Sequence, residues 1–308
     1  MQSRRDFLKA AGLSALASSI SGCGLIHSST PDLVWGVHGN RDGWLHKPRV
    51  AAFDTKDNLY IADLTDRIQC FTRDGQFLRG WRTPALNVDG PSGLSVDRLN
   101  RVLVADTHFY RVLVYSPAGE ILMQLGDGIQ GQEKGRFGYP TDVVIDKAGN
   151  FYVSEYGEND RIQVFTPDGQ WVRQWGGHGY APGEFLRPRA MAMDEDEQIY
   201  VADSCNHRIQ VFNTLGKHIR SWGRRGVGLG EMAFPYDVSL GPEGDLYVCE
   251  YGNQRVQKFT TEGKPLGLWG KPGRAPGELN NPWALAVDSR GAVSVIDSNN
   301  HRVQRFRM

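Results

Sequence analysis

The chain has 308 residues, 40% of them hydrophobic and 23% charged, with 35 Lys and Arg balancing 35 Asp and Glu. That is the composition of an ordinary soluble protein, and it offers no electrostatic footprint for nucleic acid. Thirty-seven glycines fit a turn-rich β protein better than stacked helices.

Taken in chain order, the first element is a leader. Ser3 to Lys9, "SRRDFLK", resembles the twin-arginine export motif through Arg4 and Arg5. The weakly apolar "AAGLSALASSI" that follows is too short to span a bilayer as a mature helix. Next, Ile20 to Cys23, "ISGC", resembles a lipobox, in which the Cys23 thiol takes a lipid and becomes the new N-terminus. Residues 1–22 are thus expected to be a signal peptide and 23–32 a tether, holding residues 33–308 in the periplasm or cell envelope. Removing residues 1–22 takes away Arg4, Arg5, Lys9 and Asp6, leaving 32 basic and 34 acidic residues and a net charge of −2. Nucleic acid is therefore not an expected partner.

The rest of the chain is a repeat. "SEYGENDRIQVFTPDG" (Ser154 to Gly169) has counterparts beginning at Ala62, Ala105, Ala202, Cys249 and Ile296. A proline opens each unit, at Pro48, Pro91, Pro140, Pro188, Pro235 and Pro282, at intervals of 43 to 49 residues. In the third unit the runs "DVVID", "FYVSEY", "RIQVF" and "WVRQWG" are separated by the turn-forming "KAGN", "GEND" and "TPDG". Four antiparallel strands at this period predict an all-β, six-bladed β-propeller. The sixth unit stops at Met308 after its third strand, while "DLVWGVHGNRDGWLHKP" near the start matches a fourth strand and its loop. The N-terminal segment is therefore expected to complete the last blade and to remove an open sheet edge.

These units resemble NHL repeats, with Asn206 to Arg208 and Asn300 to Arg302 in the place of the family's Asn-His-Leu signature. The resemblance implies the six-bladed fold and leaves function open. The units also resemble, more distantly, the propeller of peptidyl-hydroxyglycine amidating lyase. That resemblance implies zinc-binding histidines after the blade-opening prolines, but those positions here hold Arg49, Ser92, Thr141, Arg189, Tyr236 and Trp283.

Features present in every unit point to architecture. They include the acids Asp63, Asp106, Glu155, Asp203, Glu250 and Asp297 and the arginines Arg67, Arg111, Arg161, Arg208, Arg255 and Arg302, expected to pair across loops and between blades. The histidines His207 and His301 share one repeat slot and belong to the same class. Features that break the repeat point to a site. The long loops gather at one mouth of the central channel, where blades three and five alone add Asp142 and Asp237 and carry Glu155-Tyr156 and Glu250-Tyr251. With Arg49, Arg189, Tyr236 and Trp283 these residues form the candidate ligand site. They would either hold a divalent cation through carboxylates or let Arg189 engage a ligand carboxylate.

No other motif calls for a cofactor. Cys70, Cys205 and Cys249 occupy three different repeat positions and make no Cys-x-x-Cys. His38 and His178 sit half a ring apart and are expected to face solvent. The expected function is a monomeric, membrane-tethered binding module for an envelope protein, a peptide or a small polar ligand. A hydrolase or lyase with a carboxylate-held metal at the same mouth is the alternative.

Overall fold

Alternating apolar runs punctuated by Gly, Asn and Asp turns fold into six antiparallel four-stranded sheets, five of them made of strands in chain order from the channel outwards. The computed structural model describes residues 30–84, 90–157 and 159–308; Arg4, Arg5 and Cys23 lie outside the described residues. The innermost strands are Pro48–Phe53, Gly93–Val96, Tyr139–Ile145, Pro188–Met193, Pro235–Leu240 and Pro282–Val287, defining blades one to six. Proline, lacking an N–H, is tolerated where a strand begins.

The last blade borrows its outer strand from the start of the chain. Leu33–Trp35 runs antiparallel to Arg302–Phe306, with Leu33 opposite Arg305 and Trp35 opposite Val303. The main apolar clusters lie between neighbouring blades rather than within single ones. At the closing seam, Leu59, Ile61 and Phe71 of blade one pack with Ala284, Ile296 and Val303 of blade six. Because each cluster needs two blades, the ring stands or falls as a unit.

A second joint runs along the turn face. Trp35, Trp81, Trp175 and Trp222 cover Gly75, Gly119, Gly216 and Gly263 in the next blade's turn between third and fourth strands. A Cβ on any of these glycines would lie 2.5–2.6 Å from the indole, and their φ angles of +83° to +92° favour glycine as well. Blade six has no such turn, since its fourth strand comes from the other end of the chain. There Trp269 stacks on Phe306 instead, 3.8 Å away with the planes 4° apart.

A third joint runs along the loop face through the slot before each tie arginine. His207 Nδ1 accepts the Phe234 N–H at 3.1 Å, Gln254 Oε1 accepts the Asn281 N–H at 3.2 Å, and His301 Nδ1 accepts the Lys47 N–H at 3.0 Å. Each donor immediately precedes the next blade's proline. An imidazole accepts at Nδ1 only when that nitrogen is unprotonated. Burial keeps the His207 ring below its ordinary pKa and pushes His301 down to about 4, helped by His38, His46 and Lys47.

Candidate functional site at the loop-lined mouth

Three side chains per blade fasten the long loops that form the mouth. All six acid–arginine pairs form, among them Glu155–Arg161 at 2.5 Å, Asp203–Arg208 at 2.8 Å and Glu250–Arg255 at 2.6 Å. Arg208 also donates to the carbonyl oxygens of Tyr180, Ala181 and Glu184 in the loop leading into its blade. Gln210, two residues on, donates to Glu184 O and to Asp203. Burial raises the carboxyls of Asp106, Glu155 and Asp203, and their arginines pull in the opposite direction. Glu155 and Glu250, both fully buried, thus belong to the loop fastenings. Blade two differs: Leu113 replaces the glutamine.

Inside that collar, the backbone itself aims the ring of residues after the prolines. In blades one, three, four, five and six the register between first and second strands slips just after the proline, a β-bulge at Arg49, Thr141, Arg189, Tyr236 and Trp283. A bulge takes a residue out of the ladder and redirects its side chain. In blade two the corresponding strand starts at Gly93, where a Cβ would lie 2.1 Å from the Thr141 carbonyl oxygen.

Most of the polar groups placed here are satisfied internally. Asp142 accepts the Val143 and Met191 N–H groups, each at 2.8 Å, bracing blade three to blade four. Asp237 accepts the Val238 and Leu285 N–H groups, each at 2.8 Å, and braces blade five to blade six. Burial pushes the Asp142 carboxyl up to about 7, against the opposing pull of these N–H groups and of Arg189; burial also holds Asp237 well above the usual carboxylate range. Thr141 donates to the Pro188 carbonyl at 2.8 Å.

Two arginines differ: the half-buried Arg187 has an Nε without a hydrogen-bond partner among the described residues, and so does Arg189. Arg189 is only 4% exposed. Its guanidinium instead rests against two rings, 4.7 Å from the centroid of Tyr236 and 5.1 Å from that of Trp283. Arg49 lies 4.5 Å from the same Trp283 ring, and Tyr251 stacks on Tyr236 at 4.4 Å. Burial lowers the Arg189 pKa, with Arg187 and Arg49 adding repulsion, but a guanidinium stays charged. Beside it the channel narrows to a cavity of 20 Å³ lined by Ser92, Asp142, Arg189, Tyr236, Asp237 and Trp283.

The predicted residues therefore divide. Arg49, Arg189, Tyr236, Tyr251 and Trp283 form one contiguous group, Asp142 and Asp237 sit beside it as braces, and Tyr156 stacks on Tyr139 at 5.1 Å. Sequence reasoning missed Arg187, whose guanidinium lies 4.6 Å from the Tyr156 centroid. Its position holds Lys47, Gly90, Tyr139, Phe234 and Asn281 in the other blades, so the repeat gave no pattern to depart from. His38 and His178 are exposed, but His38 stacks on His301 at 3.8 Å and His178 bonds Asp160 at 2.7 Å. The three cysteines among the described residues are free, and no group of three or more His, Cys, Asp or Glu there is arranged to hold a metal ion.

At the opposite, turn-lined mouth the channel opens into a cavity of 460 Å³, floored by Phe53, Val96, Met193, Leu240 and Val287.

Comparison with known proteins agrees with this architecture. The NHL repeat family is matched at residues 137–165, 185–212, 232–259 and 279–306, within blades three to six. Peptidyl-glycine alpha-amidating monooxygenase B of Xenopus laevis is 36% identical over 124 residues, which cover 38% of this chain and 14% of that protein. NHL repeat-containing protein 3 of Mus musculus is 28% identical over 173 residues, 50% of this chain and 48% of that one. The chain thus matches less than half the length of either relative. Among solved structures, a streptogramin B lyase superposes with a TM-score of 0.62 over 88% of this chain and 96% of its own, at 13% identity, a likeness of fold alone. The chain is a six-bladed β-propeller that carries NHL repeats in blades three to six and is distantly homologous to the amidating enzymes.

Proposed function

We propose that the protein is a membrane-tethered, extracytoplasmic binding module that takes a peptide, protein or polar small molecule at its loop-lined mouth. Arg189 carries this reading: a buried cation whose Nε has no hydrogen-bond partner among the described residues is costly unless something else compensates it. The aromatic group around it supplies the apolar wall that ligand sites use, and the bulged strands hold that wall rigidly. Export and anchoring rest on Arg4, Arg5 and Cys23. The metal-dependent alternative would draw on Asp142 and Asp237, whose oxygens already accept backbone N–H groups.

Two measurements test this. Fractionation of cells should find the wild type with membranes and Cys23→Ser in the soluble extracytoplasmic fraction; membrane retention of that variant would refute the lipid tether. Native mass spectrometry of protein released gently from its own membranes should show a bound mass that Trp283→Ala loses. A stoichiometric metal ion in place of that mass would favour the hydrolase or lyase.

A further inference from the structure

We infer that the group seated at the channel constriction is a ligand carboxylate, received by the guanidinium of Arg189. This rests on the binding reading above and narrows it to one chemical class.

The inference starts from charge accounting at the mouth. Six other buried or half-buried arginines pair with the acids of their own blades, and several of them also donate to loop carbonyl oxygens. Arg189 occupies the bulged position instead, and there the nearby acids are already engaged. Both oxygens of Asp142 and both of Asp237 face backbone N–H groups of their own and the following blade. Burial also favours the protonated form of both acids, which further weakens them as counter-ions. The face of the guanidinium is covered by Tyr236 and Trp283, while Nε has no hydrogen-bond partner among the described residues. Cation–π contact fixes the plane of the group and leaves its donor edge to something else.

Arg189 also lines the constriction, whose 20 Å³ suits a water or a single oxygen. A planar carboxylate can seat one oxygen there and turn the other toward the second guanidinium nitrogen, the fork geometry in which arginine binds carboxylates. A tetrahedral phosphate or sulfate brings oxygens out of that plane, where Tyr236 and Trp283 already stand. Arg187 and Arg49, close enough to Arg189 to disfavour its charge, add positive potential along the approach. The body of the ligand would then lie outward, against the stacked pair of Tyr236 and Tyr251.

Calorimetric titration of the mature protein with acetate, benzoate, phosphate and sulfate tests this, together with melting curves of the wild type and Arg189→Met. Acetate and benzoate should bind, benzoate more tightly, with phosphate and sulfate at least about tenfold weaker. Arg189→Met should weaken benzoate about a hundredfold, the loss of two charge-assisted hydrogen bonds. Because methionine removes an uncompensated buried charge, that variant should melt no lower than the wild type. If Arg189→Met unfolds or melts markedly lower, the arginine is a packing element and the inference is overturned. Preference for phosphate or sulfate, or unchanged benzoate binding in Arg189→Met, overturns it too. A bound mass lost in Trp283→Ala but carrying no carboxyl group would overturn the carboxylate while leaving the binding module standing; no bound mass and no carboxylate binding would remove both.

Discussion

The two mouths of the channel invert the usual relation between space and function. The turn-lined mouth has a cavity of 460 Å³ and the loop-lined constriction only 20 Å³. Volume alone would place the ligand at the turns. Yet three of the acids around that larger cavity are consumed by their own turns. Asp54 accepts from Lys56 N, Asn58 N and Asn58 Nδ2; Asp97 accepts from Leu99 N, Arg101 N and Arg101 Nε. Asp194 accepts from Gln198 N at 2.8 Å and from Tyr200 Oη at 2.9 Å. These side chains recur from blade to blade because each closes the hairpin between first and second strands. At the loop-lined mouth the ring varies from blade to blade, and one of its members, Arg189, is buried with an Nε that has no hydrogen-bond partner among the described residues. Polar satisfaction separates scaffold from site here, where volume does not.

Breaking the ring should erase the comparison altogether, and it is the largest effect expected. Deleting residues 33–36 removes the strand paired with Arg302–Phe306, uncovers Gly75 and opens the cluster between blades one and six. Since every cluster spans two blades, the loss should spread around the ring. Thermal unfolding should show one transition at a much lower temperature, or no cooperative transition. A preserved midpoint would mean that the closing strand contributes little.

A smaller effect contrasts the mouths directly. Asp194→Ala at the turn-lined mouth strands the hydroxyl of the buried Tyr200 and the Gln198 N–H. That should cost about 1–3 kcal/mol of stability and leave benzoate affinity unchanged, the reverse of the pattern expected for Arg189→Met. Urea titration of both variants beside calorimetry checks the crossing. Loss of binding in folded Asp194→Ala would bring the turn-lined mouth back as the site.

Much of this was legible in the sequence, for a physical reason. A propeller repeats its joints, so six copies in one chain separate what a blade needs from what one position needs. The closing strand was visible because Trp35-Gly36 matches Trp175-Gly176. The ring after the prolines was visible because it varies in kind and blades three and five depart together beside it. What stayed hidden depends on side-chain direction. Asp142 and Asp237 read as an acidic sector, and only the bulge shows them turned sideways onto Met191 and Leu285 N–H groups. The slot that joins one blade's loop to the next was hidden for a different reason. His207 and His301 read as one repeated slot, but Gln254 differs from them in side-chain type and shares only an acceptor atom at the same height.

That slot gives the last and smallest test, because it makes the loop face titratable where the tryptophan–glycine joints of the turn face are not. His301 accepts the Lys47 N–H through Nδ1, and the charged or titratable groups around it are His38, stacked on it at 3.8 Å, His46 at 5.9 Å, and Lys47 itself. Beyond them, His46 bonds Asn40, and its backbone N–H goes to Asp63. Protonating His301 removes the acceptor and adds a cation among cations. Its folded pKa of about 4 lies below the 6.5 of a free imidazole. Between those values the unfolded chain binds the proton and the folded one does not, so this joint's contribution is complete above about pH 6.5 and is lost as the pH falls toward 4. Asp142 works in the opposite sense: raised to about 7, it makes the fold relatively less stable as pH rises from about 4 to 7. The total pH profile therefore mixes the two, and a difference between proteins is needed. His301→Gln, which installs the side chain blade five already uses at Gln254, should match the wild type within about 0.5 kcal/mol at pH 7.5. At pH 4.5 it should be the more stable protein by on the order of 1 kcal/mol, after allowance for the solvent screening of a half-buried ring. Hydrogen exchange at the Lys47 amide should follow, speeding up in acid in the wild type relative to the variant. Parallel stability curves for the two proteins across that range would show that the seam histidine does not titrate with folding, and that the two faces of the ring respond to acid alike.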